Sequence, residues 1–169
     1  VGPGDVTRRA LYITPANNSE PVIVYSEPNS APFYLYWAPN SQLITFLTQE
    51  RSGLAMRQID TRHPDINHTL GTGAPFYWVW SPASDKVLTH VGGTRAASPD
   101  AHISIVQNSA EDPQDVQRIE LNLDPGRFQA PAWSEDGNNF YYIAANETGQ
   151  ESIYQTNAQT LEQALVTNL

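Results

Sequence analysis

No cysteine occurs anywhere in the 169 residues. Disulfide frameworks and thiolate chemistry, whether metal-binding or redox, are therefore excluded, while the compartment stays open. Positive charge is scarce: 9 Lys and Arg stand against 18 Asp and Glu, a formal net charge of −9. Nucleic acid and anionic membranes both reward clustered Lys and Arg, so this balance argues against either as a partner. No apolar run approaches the ~18 residues that a membrane-spanning helix needs. No basic-plus-apolar signal segment opens the chain, and Val1 in place of Met reads as the start of an excised piece. What is plentiful is turn and strand chemistry. Thirteen Pro and 10 Gly accompany 4 Trp, 8 Tyr and 5 Phe, the composition of many short strands joined by tight turns in one domain-sized chain.

Internal repeats organise the sequence. Ala31-Pro32-Phe33-Tyr34-Leu35-Tyr36-Trp37-Ala38-Pro39-Asn40-Ser41 precedes an apolar run from Leu43 to Thr48. Ala74-Pro75-Phe76-Tyr77-Trp78-Val79-Trp80-Ser81-Pro82-Ala83-Ser84 precedes Lys86 to Val91, and Gln129-Ala130-Pro131-Ala132-Trp133-Ser134-Glu135-Asp136-Gly137 precedes Asn139 to Ala145. Each layout is proline, tryptophan, a short polar turn, then a strand. Shorter apolar runs follow (Met56 to Asp60, Ser104 to Asn108, Ile153 to Asn157), and then a fourth set (Ile66 to Leu70, Val116 to Leu123, Ala164 to Leu169). Leu11-Tyr12-Ile13-Thr14 and Val22-Ile23-Val24 match Ile153 to Thr156 and Ala164 to Val166 at a constant offset of 142 residues. The chain thus reads as a trailing half unit followed by three whole units of four strands each.

Four short strands in ~40 to 50 residues are the size and strand count of a propeller blade. Leu43 to Leu47 and Asn139 to Ala145 are apolar on both alternating faces, as strands covered on both sides should be. Val116 to Leu121 alternates, as a half-exposed outer strand should. Asp136-Gly137 supplies the positive φ of a tight hairpin, and Asn40-Ser41 and Ala83-Ser84 do so less well. Trp37, Trp80 and Trp133 are expected to fill the space between blades. The predicted architecture is all-β: one partial β-propeller domain over residues 1–169, with a half blade at 9–28 and blades at 32–71, 75–123 and 129–169.

These residues resemble a known family. Trp80-Ser81-Pro82, Trp133-Ser134-Glu135-Asp136-Gly137 and Ile153-Tyr154-Gln155-Thr156-Asn157 are similar to the TolB-like β-propeller repeat, over roughly residues 9 to 169. No copy carries the whole Trp-Ser-Pro-Asp-Gly string, and two place their proline five residues before the tryptophan. The resemblance implies a propeller fold and a location outside the bacterial cytoplasm, periplasmic or extracellular. Fold analogy does not assign a task.

Chemistry-bearing motifs are few. There is no Gly-x-Ser-x-Gly elbow, so the hydrolase that accompanies such propellers in the prolyl-oligopeptidase group is not in this piece. His63, His68, His90 and His102 lack zinc-binding spacing and read as solvated loop and strand residues. Gly71-Thr72-Gly73 lacks the lysine of a phosphate loop and reads as a blade-to-blade turn. Glu135 and Asp136 are adjacent in a hairpin and point apart, unlike a catalytic carboxylate pair, and no aspartate run matches a calcium loop. Asn17-Asn18-Ser19, Asn67-His68-Thr69 and Asn146-Glu147-Thr148 match the glycosylation acceptor pattern and read as polar turns. Thr160 to Gln163 matches a helix capping box, but the repeat favours a strand there. The unit at 75–123 is expanded at Gly92 to Ala101 and again at Ser109 to Asp115, where a partner or a tolerated insertion fits.

No catalytic, cofactor-binding or metal-binding residue is assigned, and no cofactor is expected. The expected function is a non-enzymatic module for binding a protein or peptide, or for scaffolding. The alternative is the propeller portion of a longer prolyl-oligopeptidase-like hydrolase. A small-ligand site built on aromatics such as Phe76 and Tyr77 is a third reading. Three and a half units do not close a ring of four to eight blades. The chain is therefore expected either to have a missing companion fragment or to pair with a second copy as a homodimer.

Overall fold

The computed structural model describes residues 9–17, 19–51, 53–94, 96, 98–108, 116–127 and 129–169. Among them there is no α-helix, and 15 strands are arranged in antiparallel sheets. The chain divides into two compact units, residues 1–72 and 73–169.

In the first unit, β1 (Leu11–Ile13) pairs with β2 (Val22–Tyr25) as a two-stranded sheet. A four-stranded sheet follows in sequential order from β3 (Pro32–Trp37), β4 (Leu43–Glu50), β5 (Gly53–Asp60) and β6 (Asn67–Gly73). Val24 and Tyr25 pack against Ile44, Phe46 and Ile59, with Leu11 and Ile13 at the margin. The Tyr25 and Phe46 rings meet edge to face at 5.0 Å.

In the second unit, β7 (Phe76–Trp80), β8 (Lys86–Val91), β9 (His102–Asn108) and β10 (Val116–Glu120) form a sheet in the same sequential order. The last sheet runs from β13 (Asn139–Ala145) through β14 (Glu151–Asn157) to β15 (Gln163–Asn168). Its first position is shared: β11 (Asp124–Pro125) pairs with Ala144 and Ala145, and β12 (Ala132–Trp133) with Phe140 and Tyr141. Leu88, Ile103, Ile105 and Leu121 pack against Phe140, Tyr142, Ala144 and Ala158, so one core joins the two sheets.

The repeated punctuation is reproduced atom by atom. Trp37, Trp80 and Trp133 each pair with the residue seven positions on: Ile44, Val87 and Phe140. Between them the backbone closes the same turn. Ala38, Ser81 and Ser134 donate to Leu43, Lys86 and Asn139 carbonyls and accept from Ser41, Ser84 and Gly137 amides. Ser41, Ser84 and Gly137 take φ values of 57°, 63° and 70°. This is the left-handed region that a tight hairpin requires and that glycine enters at least cost.

Several expectations are corrected. Trp37 is 52% exposed and fills no interior space. Trp133 is partly buried, its indole Nε1 donating to the Val79 carbonyl on β7 at 3.3 Å. That contact needs the first strand of a preceding sheet, and the β1–β2 pair before β3 offers Trp37 none. Gly71-Thr72-Gly73 is the end of β6, not a turn. A Cβ on Gly73, at φ 142°, would sit 2.5 Å from Val91 Cγ1. β10 stops at Glu120, short of Leu123. β4 and β8 are buried along nearly their whole length, but β13 alternates, with Tyr141 and Ile143 only half-buried.

Candidate interaction surface

Among the described residues, β3 carries the longest run of exposed large apolar side chains. Phe33, Tyr34, Leu35, Tyr36 and Trp37 are all exposed. A bulge explains why alternation fails to hide one face: Tyr34 and Leu35 together oppose the single Phe46, and Tyr34 sits at φ 56°. An extra residue bends and twists a strand and re-aims the side chains beyond it. Tyr12, Val22 and Ile23 on the β1–β2 pair are also exposed. Exposed large apolar side chains of this number on an acidic chain make β3 the candidate protein-binding element.

Behind the opposite end of β3 lies a charged cradle. Arg57, on β5, sets its guanidinium 5.5 Å from the Tyr25 ring centroid. It donates to Glu50 Oε1 (2.9 Å), Thr48 Oγ1 (3.2 Å) and Asn67 Oδ1 (3.0 Å), with Glu27 Oε2 at 3.8 Å. The bond from Arg57 holds the Glu50 carboxyl below the usual carboxylate range. Burial works against the Arg57 charge, but Glu50, Tyr25 and Glu27 outweigh it and leave its pKa raised. Burial also pushes the Tyr25 hydroxyl up, although it bonds Ser30 Oγ at 2.8 Å. The guanidinium is thus committed to tying β4, β5 and β6 together beneath β2, a structural use of buried charge.

His90 is the functional-type residue that spacing missed. It is 1% exposed, not solvated, with Nδ1 3.1 Å from the Gln129 carbonyl and Nε2 3.0 Å from the Gly93 carbonyl. A neutral ring has one N–H, so it donates to one of these carbonyls at a time. Burial lowers its pKa, the two carbonyls pull upward, and His102 adds to the lowering. No sequence signal marks this, because both acceptors are backbone carbonyls and one of them, on Gln129, lies 39 residues away.

The remaining candidates are dispersed. His63 lies in the β5–β6 turn, His68 on β6, and His102 bonds the Asp100 carbonyl at 2.8 Å. Among the described residues no three His, Asp or Glu gather as a metal site. Asp136 accepts from Ser134 Oγ and Asn138, so it is spent on its turn. Asn146 closes a turn through Thr148 and Gln150, whereas Asn67 lies on β6 and accepts from Arg57, not in a polar turn. Of the first acceptor triplet, Asn18 lies outside the described residues. Thr160 starts no helix; it lies in the turn before β15. Phe76 is 6% exposed and Tyr77 half-buried, which removes Phe76 as a ligand-stacking ring. The 92–101 link is pinned at its ends, Gly92 to the Pro75 carbonyl and Ala101 to Ser98. Arg95 and Ala97 within it, and residues 109–115, lie outside the described residues.

Solved structures with this arrangement of sheets exist. TolB from Acinetobacter baumannii matches 94% of the chain at 19% identity and a TM-score of 0.55, and a putative TolB from Agrobacterium tumefaciens matches 95% at 13% and 0.56. The sheets have the fold of β-propeller blades, similar to those of these two structures. A structure described as a prolyl endopeptidase matches 95% of the chain at 11% identity and a TM-score of 0.59. The chain spans 37%, 57% and 26% of these three, less than two thirds of each. No family model and no curated protein matches it. Among the described residues, no helix is long and apolar enough to cross a membrane.

Proposed function

We propose that residues 1–169 form one partial β-propeller domain acting as a non-enzymatic module that binds a protein or peptide, or scaffolds an assembly. The observation that carries this reading is β3, five consecutive apolar or aromatic residues exposed on a chain of net charge −9. Propeller scaffolds present such elements rigidly, which lowers the ordering cost of binding. The TolB likeness supports a location outside the bacterial cytoplasm, testable by cell fractionation. Panning a random peptide library on the immobilised chain tests the binding role. Expected are aromatic-rich peptides whose affinity falls at least ~10-fold in Trp37→Ala, as for a hot-spot aromatic. No enrichment, or binding indifferent to β3, overturns it.

The second reading, the propeller portion of a longer hydrolase, is supported by the prolyl endopeptidase likeness. An α/β-hydrolase segment in the same full-length polypeptide would favour it over the binding module.

A further inference from the structure

The link from β2 to β3 and the hairpin between β4 and β5 enclose a cavity of about 330 Å³ within the first unit. Glu27, Asn29 and Ser30 line it from the link, and Gln49, Glu50 and Arg51 from the hairpin. That volume is near the lower bound for ligand sites, so the occupant it suits is a small molecule. The floor of the cavity is already satisfied. Glu50 Oε1 accepts from Thr48 Oγ1 at 3.1 Å and from Arg57 at 2.9 Å. Ser30, 6% exposed, shares a hydrogen bond of 2.8 Å with the Tyr25 hydroxyl. The Arg57 guanidinium beneath is committed to Glu50, Thr48 and Asn67.

The two walls are not satisfied. Among the described residues, the side chains of Arg51 and Asn29 have no hydrogen bond or ion pair. The Glu27 carboxylate has only Arg57, at 3.8 Å and beyond hydrogen-bond reach. Gln49 Nε2 donates to the Glu50 and Gly53 carbonyls at 3.1 and 3.0 Å. Those bonds close the hairpin, fix the carboxamide and leave its Oε1 as an acceptor. Asn29, at φ 62°, turns the link opposite. One wall thus offers a carboxylate and a carboxamide, the other a guanidinium and an amide oxygen. Glu27 and Arg51 share the cavity without pairing with each other. An anion alone would meet Glu27 and Glu50 there, and a cation alone would meet Arg51 and Arg57. A small ligand carrying both charges meets neither conflict.

We propose that this cavity binds the ammonium and carboxylate of a free α-amino acid. An ammonium group brings three N–H donors, matched by the Glu27 carboxylate and the Asn29 and Gln49 amide oxygens. Arg51 takes the carboxylate, whose two oxygens suit the guanidinium fork. The site goes beyond peptide binding at β3 and does not rest on it.

The test titrates alanine, leucine, phenylalanine, lysine and glutamate into the isotopically labelled chain, each as the free amino acid, the N-acetyl derivative and the carboxamide. Amide chemical shifts and calorimetry are the readouts. Expected is one-to-one binding of free amino acids with Kd below ~1 mM, moving the amide signals of Glu27 to Ser30 and Gln49 to Arg51. Either blocked derivative should bind at least ~10-fold more weakly, because it loses a charge-assisted contact. Glu27→Gln and Arg51→Gln should each weaken the free amino acid by the same factor. N-acetylation should then cost nothing further in Glu27→Gln, nor amidation in Arg51→Gln, since each pair removes one and the same interaction. Both side chains are solvent-exposed, so the variants should keep the wild-type urea midpoint, and the blocked derivatives test the wild-type chain directly. No shift at these residues with any free amino acid at ~10 mM overturns the proposal. So does equal binding of free and blocked forms.

Discussion

Trp37 and Trp133 occupy the same place in the repeat, pair with the residue seven positions on, and differ in what stands beside them. Trp133 donates to Val79 and lies 5.3 Å from the Phe140 ring, whereas Trp37 is 52% exposed. Trp133→Ala should therefore cost about 2–4 kcal/mol, near the low end for an aromatic deletion from a core. Trp37→Ala should cost about 0.5 kcal/mol or less, as surface changes do. Urea unfolding of both variants checks this, and equal losses would contradict the packing described. His90 makes a pH prediction. Its folded pKa lies below the ordinary value of 6.5, so on acidification the unfolded chain takes up the proton first. Stability is then fully present above about pH 6.5, falls as the pH drops below it, and levels off once the folded ring is protonated too. Urea midpoints at pH 7.5 and pH 5.5 should fall further in the wild type than in His90→Gln. Identical pH slopes would show that the ring titrates as freely as in the unfolded chain.

At the scale of strands, much of the fold was legible because each unit announces itself with proline, tryptophan and a turn that needs positive φ. Leu43 to Leu47 reads as a strand buried on both faces because nearly every residue in it is apolar. The end of β6 was not legible, since Gly71-Thr72-Gly73 carries turn-like composition while pairing within a sheet. β11 was missed for a similar reason. Asp124-Pro125 looks like punctuation, and only Ala144 and Ala145, twenty residues on, make it a strand. Burial of Trp37 could not be read locally because it depends on a neighbouring sheet. The Arg57 cradle was equally invisible, its partners being spread from Glu27 to Asn67. Arg57→Ala removes charge-assisted bonds to Glu50 and leaves Thr48 and Asn67 to find other partners. A loss of about 2–3 kcal/mol is expected, since hydrogen bonds to charged groups contribute more than neutral ones. A change under about 0.5 kcal/mol in urea unfolding would mean the cradle is no more than a surface ion pair.

For the whole molecule, two features act against each other. The strands β1, β2 and β3 and the outermost β15 display Tyr12, Val22, Ile23, Trp37, Leu165 and Val166 to solvent. Such surfaces favour association, and strand edges give it a template. The net charge of −9 opposes it, because like-charged copies repel at the range of a Debye length. The balance should therefore follow pH and salt. Near the sequence pI of about 4.7 the repulsion vanishes while the apolar surface is unchanged, so light scattering should be lowest near pH 7 at low salt and rise steeply toward pH 4.7. Added salt at pH 7 should raise it as well, through screening. A scattering profile flat from pH 7 to 4.7, with and without salt, would show that the exposed strands do not drive association and that their apolar surface is too dispersed to act as a patch.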